Sequence, residues 1–233
     1  MLQQAKEAPN YASHVISNLN WFRYVIQIEF LANTITQGSN VLELGCGWGH
    51  TTAMLATTRQ DLKIIGTDLT EAPPWNNLIK FGCSFKHCNA THLPFESEEF
   101  DVIYSFGVME HVDDDQKFLE EIRRCLKSGG YNIIFNLPNM YSLSENFANF
   151  IHIWHHERKY KKKEIINLLE QAGFELLHIE REHLIPAQVD RVSARLAKLF
   201  NAWYILLFKI DYLLGLTPLS FFSQDFRILS KKR

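Results

Sequence analysis

The sequence lacks the patterns that mark several large protein classes. It holds four cysteines (Cys46, Cys83, Cys88 and Cys125), with no C-x-x-C pair and no Cys/His cluster at zinc-finger spacing. A disulfide framework and a structural zinc site are therefore not expected, and the thiols read as reduced, as in a cytoplasmic protein. Long apolar runs are missing too: Ala202–Phe208 is the longest near the C-terminus, far short of the ~20 residues that span a bilayer. Met1–Glu7 has no apolar stretch of the signal-peptide kind. A formal net charge of -2 argues against general nucleic-acid binding, which needs a net basic face. Internal repeats and low-complexity linkers are also absent.

What remains is the composition of a globular protein, 46 % hydrophobic and 21 % charged over 233 residues. Residues 14–37 are predicted helical, with Val15, Leu19, Phe22, Ile26, Phe30 and Ile35 as the apolar face. Short apolar strands are predicted at Val41–Leu44, Leu62–Gly66, Ser84–Cys88, Phe100–Ser105, Tyr131–Leu137, Phe174–Glu180 and Phe226–Leu229. Helices are predicted at 50–59, 113–126, 161–172 and 188–214. Asp113-Asp114-Asp115 suits the positive end of a helix dipole. Strands alternating with helices imply crossover connections and a mainly parallel α/β sheet.

Val41-Leu42-Glu43-Leu44-Gly45-Cys46-Gly47-Trp48-Gly49-His50 leaves a strand and opens a helix. Glycines there let the backbone turn sharply and approach a ligand closely, at the strand ends where open α/β sheets bind ligands. The spacing is G-x-G-x-G, unlike the dinucleotide G-x-G-x-x-G, and it begins with a carboxylate. Glu43 would repel a pyrophosphate but tolerate a cationic ligand. Nineteen residues after Gly49 stands Asp68, able to accept two hydrogen bonds from ribose hydroxyls.

Glu43-x-Gly45-x-Gly47-x-Gly49 followed by Asp68 resembles the first two motifs of class I S-adenosylmethionine-dependent methyltransferases. Cys88-Asn89-Ala90-Thr91-His92-Leu93-Pro94-Phe95 resembles their adenine-contacting segment, with Asn89 in place of the usual Asp. Phe100-Asp101-Val102-Ile103, Leu126-Lys127-Ser128-Gly129-Gly130 and Glu170-Gln171-Ala172-Gly173-Phe174-Glu175 are similar to three further family motifs, so the resemblance covers residues 39–181. It implies a Rossmann-like, seven-stranded, mainly parallel sheet with helices on both faces and a helical lid from 138–160 and 183–220. The chain then divides into an N-terminal helical segment (1–38), a cofactor-binding core (39–182) and a lid with a final strand (183–233). The implied cofactor is S-adenosylmethionine, held by Glu43, Gly45, Cys46, Gly47, Asp68, Leu69, Asn89, Ala90 and Ser105. Pro73-Pro74-Trp75 interrupts the helix expected after the second strand, and Trp75 is a candidate to cover the adenine.

Ser105-Phe106-Gly107-Val108-Met109-Glu110-His111-Val112 should form the rim facing the cofactor, with His111 as base or as a helix-capping residue, and Glu110 orienting it, facing solvent or contacting the substrate. The stretch resembles ubiquinone-pathway O-methyltransferases, where E-x-x-E-H is linked to a divalent metal. Gly107 stands where the first Glu would be, so no metal is expected. Neither an amino-adenine methylation loop nor a Pro-Cys nucleophile is present, and the resemblance to O-methyltransferases implies a small-molecule acceptor, methylated at oxygen. The alternatives are a membrane-associated enzyme acting on a lipid-linked sugar or quinone and a non-catalytic partner subunit.

His152–Lys163 is dense in cations, aromatics and histidines. It reads first as a solvated helix start; His155, His156, Arg158 and Tyr160 are the residues to test as contacts to an anionic acceptor. In 188–214, Val189, Val192, Leu196, Leu199, Trp203, Leu206, Ile210 and Leu213 make one apolar stripe, expected to pack on the core or on a second subunit. A peripheral contact with a membrane is the alternative for this stripe. A monomer or a homodimer is expected.

Overall fold

The structure is a computed structural model that describes residues 18–150, 152, 156, 158–186 and 194–233. In chain order the elements are α1 (Asn18–Thr34), β1 (Asn40–Leu44), α2 (His50–Thr58), β2 (Lys63–Asp68), α3 (Trp75–Leu78), β3 (Cys83–His87) and β4 (Phe100–Phe106). Then come α4 (Asp115–Cys125), β5 (Leu126–Pro138), α5 (Leu143–Phe150), α6 (Lys162–Gln171), β6 (Phe174–Glu182), α7 (Ala194–Gly215) and β7 (Asp225–Lys232).

The described residues form one seven-stranded sheet in the order β3-β2-β1-β4-β5-β7-β6. β7 is antiparallel to both its neighbours, and the other pairings are parallel. The apolar runs of β1 and β4 are buried on both faces, as a covered parallel sheet requires. One core packs Phe118, Leu119 and Ile122 of α4 and Ile165 and Leu169 of α6 against Leu42, Ile103 and Ile134. The other packs Ile28 and Leu31 of α1 and Ala53, Met54 and Leu55 of α2 against Val41, Val102 and Ile133. The chain builds outward from β1 to β3, then restarts beside β1 with β4. That reversal opens a crevice at the carboxyl ends of β1 and β4.

The predicted strands and long helices are present, with shifted ends. β5 runs from Leu126 through Gly129-Gly130, because α4 already stops at Cys125. Asp114, the residue before α4, caps it by accepting from the Lys117 N–H at 2.9 Å.

Two helix faces depart from expectation. The buried positions of α1 are Leu19, Arg23, Val25, Gln27, Ile28, Leu31 and Ala32. Arg23 and Gln27 are thus turned inward, while Phe22 meets Tyr204 and Phe208 of α7, with ring centroids 5.6 and 4.9 Å apart. α7 docks on α1 through that aromatic side and through Asp211, whose carboxylate lies 2.8 Å from Arg23. Its apolar stripe (Leu196, Leu199, Trp203, Leu206, Ile210 and Leu213) consequently faces away from the core and is exposed. Val15, Val189 and Val192 lie outside the described residues.

Candidate active site

The strand β1 ends in the glycine loop. Gly45 sits at φ +67°, and a Cβ there would collide with the Val108 side chain. Gly49 sits at φ +81°, where a Cβ would lie 2.5 Å from the Phe85 ring. Both positions therefore require glycine. The loop is tied to β2: the Cys46 N–H donates to the Thr67 carbonyl at 2.8 Å, and the Gly47 N–H to the Asp68 carboxylate at 2.7 Å. Trp75 also braces it, donating its indole N–H to the Gly47 carbonyl at 2.9 Å and stacking on Phe85 at 5.2 Å. Trp75 is buried, so it supports the loop from behind instead of covering an adenine. Pro73-Pro74 stop an earlier helix, and only then does α3 begin, at Trp75.

Glu43 is only 1 % exposed. It accepts hydrogen bonds from the hydroxyls of Thr51 and Thr52, at 2.5 Å each, and of Tyr104 at 2.9 Å. Burial raises its pKa, and the three hydroxyls oppose the rise by favouring the charged form. The carboxylate thus ties the start of α2 to β4 beneath the loop.

In front of the loop opens a cleft of about 560 Å³, within the size range of small-ligand sites. Of the residues expected at the cofactor, Gly45, Asp68, Leu69, Asn89 and Ala90 line it. Glu43, Cys46, Gly47 and Ser105 are not in its lining: Glu43, Cys46 and Ser105 are buried, with Ser105 only 1 % exposed, whereas Gly47 is partly exposed with open space beside it. Asp68 also accepts from the Thr70 N–H at 3.0 Å, so each carboxylate oxygen has one backbone donor and keeps a second lone pair. The Asn89 side-chain oxygen accepts from both the N–H and the hydroxyl of Thr91, at 2.9 Å each. The Thr91 hydroxyl also lies 3.0 Å from His92 Nδ1, so its one proton can go there and leave the Asn89 oxygen a lone pair facing the cleft.

A second, smaller cavity of about 180 Å³ adjoins the cleft. Gly107 and His111 line both. The smaller cavity is polar, with Arg23, Glu110, Asn136, His156, His183 and Asp225 in its wall. Asn136 and His183 hold positive φ, +56° and +64°, a sparsely populated conformation for such residues. Gln27 donates to the Asn136 side-chain oxygen at 2.8 Å, and His183 meets Asp225 at 3.0 Å. Burial pushes the Asp225 carboxyl up and the His183 ring down, so the pair favours its neutral forms.

Glu110 and His111 lie on a 3-10 turn, Met109–His111, just beyond β4. The Glu110 side chain is 1 % exposed, and among the described residues neither of its oxygens has a hydrogen-bond partner. His156 approaches it at 3.8 Å and His111 at 4.0 Å. Burial pushes the Glu110 carboxyl up to about 7. Burial, and then His156, lowers the His111 ring below 6.5. His156 is held from behind by Glu145 at 2.9 Å. One donor atom from each of Glu110, His111 and His156 falls within 4.8 Å of the others. The sequence expectation of no metal rested on Gly107; His156, from a distant segment, supplies a third donor instead.

The rest of the cationic cluster disperses. Arg158 pairs with Asp115 and donates to the Val112 carbonyl at 3.0 Å. Tyr160, read first as a packing residue and also as one to test at the acceptor, is 0 % exposed; its hydroxyl donates to Met109 O and lies 3.1 Å from Asp115 Oδ1. Neither lines the two cavities described; both tie the segment before α6 to Met109, Val112 and Asp115. His155 lies outside the described residues. Sequence reasoning missed Arg23, Asn136, His183 and Asp225. The one available signal was a pair of polar residues, Arg23 and Gln27, four apart within an otherwise apolar helix.

A family model described as a methyltransferase domain matches residues 42–134. A probable S-adenosylmethionine-dependent methyltransferase of Mycolicibacterium smegmatis is 30 % identical over 191 residues, 75 % of this chain and 72 % of that protein. A ubiquinone biosynthesis O-methyltransferase of Ruegeria sp. is 29 % identical over 150 residues, 58 % of this chain and 60 % of that protein. Among solved structures, phosphoethanolamine N-methyltransferase 2 of Haemonchus contortus, in complex with S-adenosyl-L-methionine, superposes with a TM-score of 0.64 at 18 % identity. That match covers 99 % of this chain and 56 % of the other, and it speaks to the fold alone. The glycine loop, the carboxylate at the end of β2, the strand order and the 30 % identical relative agree, and the chain belongs to the class I S-adenosylmethionine-dependent methyltransferases.

Proposed function

We propose that the 560 Å³ cleft holds S-adenosylmethionine, that the 180 Å³ cavity holds the acceptor, and that the chain methylates a small polar molecule at oxygen. The observation that carries this reading is that His111 and Gly107 line both cavities, so the two ligands would meet there. Gly45, Asp68, Leu69, Asn89 and Ala90 line the cofactor side, where Asp68 has lone pairs for ribose hydroxyls. Bound there, the cofactor supplies an electrophilic methyl on a positively charged sulfur.

The chain's own contribution is to position the acceptor and receive its proton. His111 sits below its ordinary pKa and is therefore neutral near pH 7, the form that accepts a proton. Glu110 lies behind it, 4.0 Å away, and its negative form would stabilise the resulting imidazolium. Arg23, Asn136 and His183 give the cavity wall donors and acceptors suited to a hydroxylated acceptor. The name of the Ruegeria relative supports oxygen as the methylated atom.

Calorimetric titration tests the cofactor half. S-adenosylmethionine should bind the wild type at micromolar affinity, and Asp68→Ala should weaken it at least tenfold, about 1.4 kcal/mol. His111→Ala should lower turnover on a hydroxylated acceptor by ~10²-fold or more while weakening cofactor binding less than Asp68→Ala does. No binding to the wild type would remove the reading altogether. A divalent cation on Glu110, His111 and His156 is the competing account of the acceptor side. Turnover abolished by a chelator and restored by the metal would favour it.

A further inference from the structure

The long helix α7, kinked at Trp203, presents apolar side chains on both sides of the kink that nothing in the described fold covers. Leu196, Leu199, Trp203, Leu206, Ile210 and Leu213 recur three and four residues apart and are 39–61 % exposed. The opposite side of the helix carries the docking contacts, Tyr204 and Phe208 on Phe22 and Asp211 on Arg23. The apolar surface continues past the helix through Leu216 and Leu219. Soluble monomers rarely leave so contiguous an apolar face open.

The charges on this helix identify the occupant. Its described ionisable residues are Arg195, Lys198, Lys209, Asp211 and the tyrosines. Arg195, Lys198 and Lys209 are exposed, whereas Asp211 is buried against Arg23. The helix therefore shows the outside three cations and no anion, on a chain whose formal net charge is -2. Pairing two such faces in a dimer would bring these cations together, with no α7 anion to answer them. An anionic bilayer surface answers both features: headgroups meet the Lys and Arg side chains, and the acyl boundary receives the Leu, Ile and Trp side chains. Among the described residues no helix is long and apolar enough to cross a membrane, so the helix would lie along it.

We infer that the exposed face of α7 is a docking surface for an anionic lipid bilayer. Arg23 both pairs with Asp211 and lines the 180 Å³ cavity, so docking through α7 would hold that cavity close to the lipid surface.

The test is sedimentation of the purified full chain with vesicles, together with light scattering of the protein alone. The chain should pellet with vesicles containing phosphatidylglycerol and at least tenfold less with pure phosphatidylcholine. Leu199→Glu/Leu206→Glu and, separately, Lys198→Glu/Lys209→Glu should each lower partition tenfold or more. All four positions are exposed, so both variants should keep the wild-type melting temperature. Failure of the wild type to pellet with anionic vesicles overturns the proposal. So does a stable dimer in solution that Leu199→Glu/Leu206→Glu disperses, which would give the face to a second copy. Binding is read without cofactor or acceptor, so its failure leaves the reading of the two cavities untouched.

Discussion

A carboxylate enclosed without a hydrogen bond, as Glu110 is among the described residues, resists ionisation until water or a cation reaches it. Its pKa of about 7 lies above the ordinary 4.5, so the folded chain keeps a proton that the unfolded chain releases between those values. Stability should therefore fall as pH rises from about 4.5 to 7, with the loss complete above 7. The cost attached to this one group is on the order of 3 kcal/mol. Glu182 titrates in the same window, so the clean readout is a comparison of variants. Urea unfolding of Glu110→Gln at pH 5 and pH 8 should show a smaller pH-dependent loss than wild type, because the amide cannot ionise. At this scale the sequence was informative wherever covalent spacing decides the outcome. Gly45, Gly49 and Asp68 fall where the loop and strand must put them. It was silent where a side chain's role depends on a partner far along the chain. His156 meets Glu110 across 46 positions, and Trp75 turns inward because Phe85 offers it a ring to stack on.

The helices α1 and α7 are joined by a buried ion pair, Arg23 with Asp211, whose side chains are 4 % and 5 % exposed. Asp211 also accepts from the Ile185 N–H at 2.7 Å, so one carboxylate fixes both the helix and the segment leading toward it. Removing one partner leaves the other charge buried and unanswered. Asp211→Ala should cost about 3–5 kcal/mol, whereas Arg23→Met with Asp211→Leu should recover much of that loss. Denaturant titration of the three proteins measures both effects. Elements were legible where the apolar pattern had a single meaning, as in the doubly buried strands and in α4. The faces of α1 and α7 were not, because a hydrophobic stripe identifies a helix but not what covers it. In α1 the covering layer includes polar residues that line a cavity; in α7 the stripe is the uncovered side.

For the whole molecule, the cleft spans the ends of β1, β2 and β4 and is backed by Cys88, Ala90, Val108 and Val112, which pack on the first core, so a ligand bound there would tie these segments together. At a hundred times its dissociation constant, S-adenosylmethionine should add about 2.7 kcal/mol. For a chain of this size that raises the melting temperature by roughly 5–10 °C. Asp68→Ala, binding about tenfold more weakly, should show roughly half the shift at the same concentration. Differential scanning fluorimetry reads both. The order of the seven strands also bears on how the chain comes off the ribosome. β7 lies between β5 and β6 yet follows both in sequence, and it supplies every sheet hydrogen bond that β6 makes. While synthesis proceeds, β6 emerges with no neighbour, and one flank of β5 stays open until residues 225–232 clear the exit tunnel. The nascent chain thus exposes both edges of β6 and one of β5 at once, an opportunity for chaperones to bind and for neighbouring nascent chains to mispair.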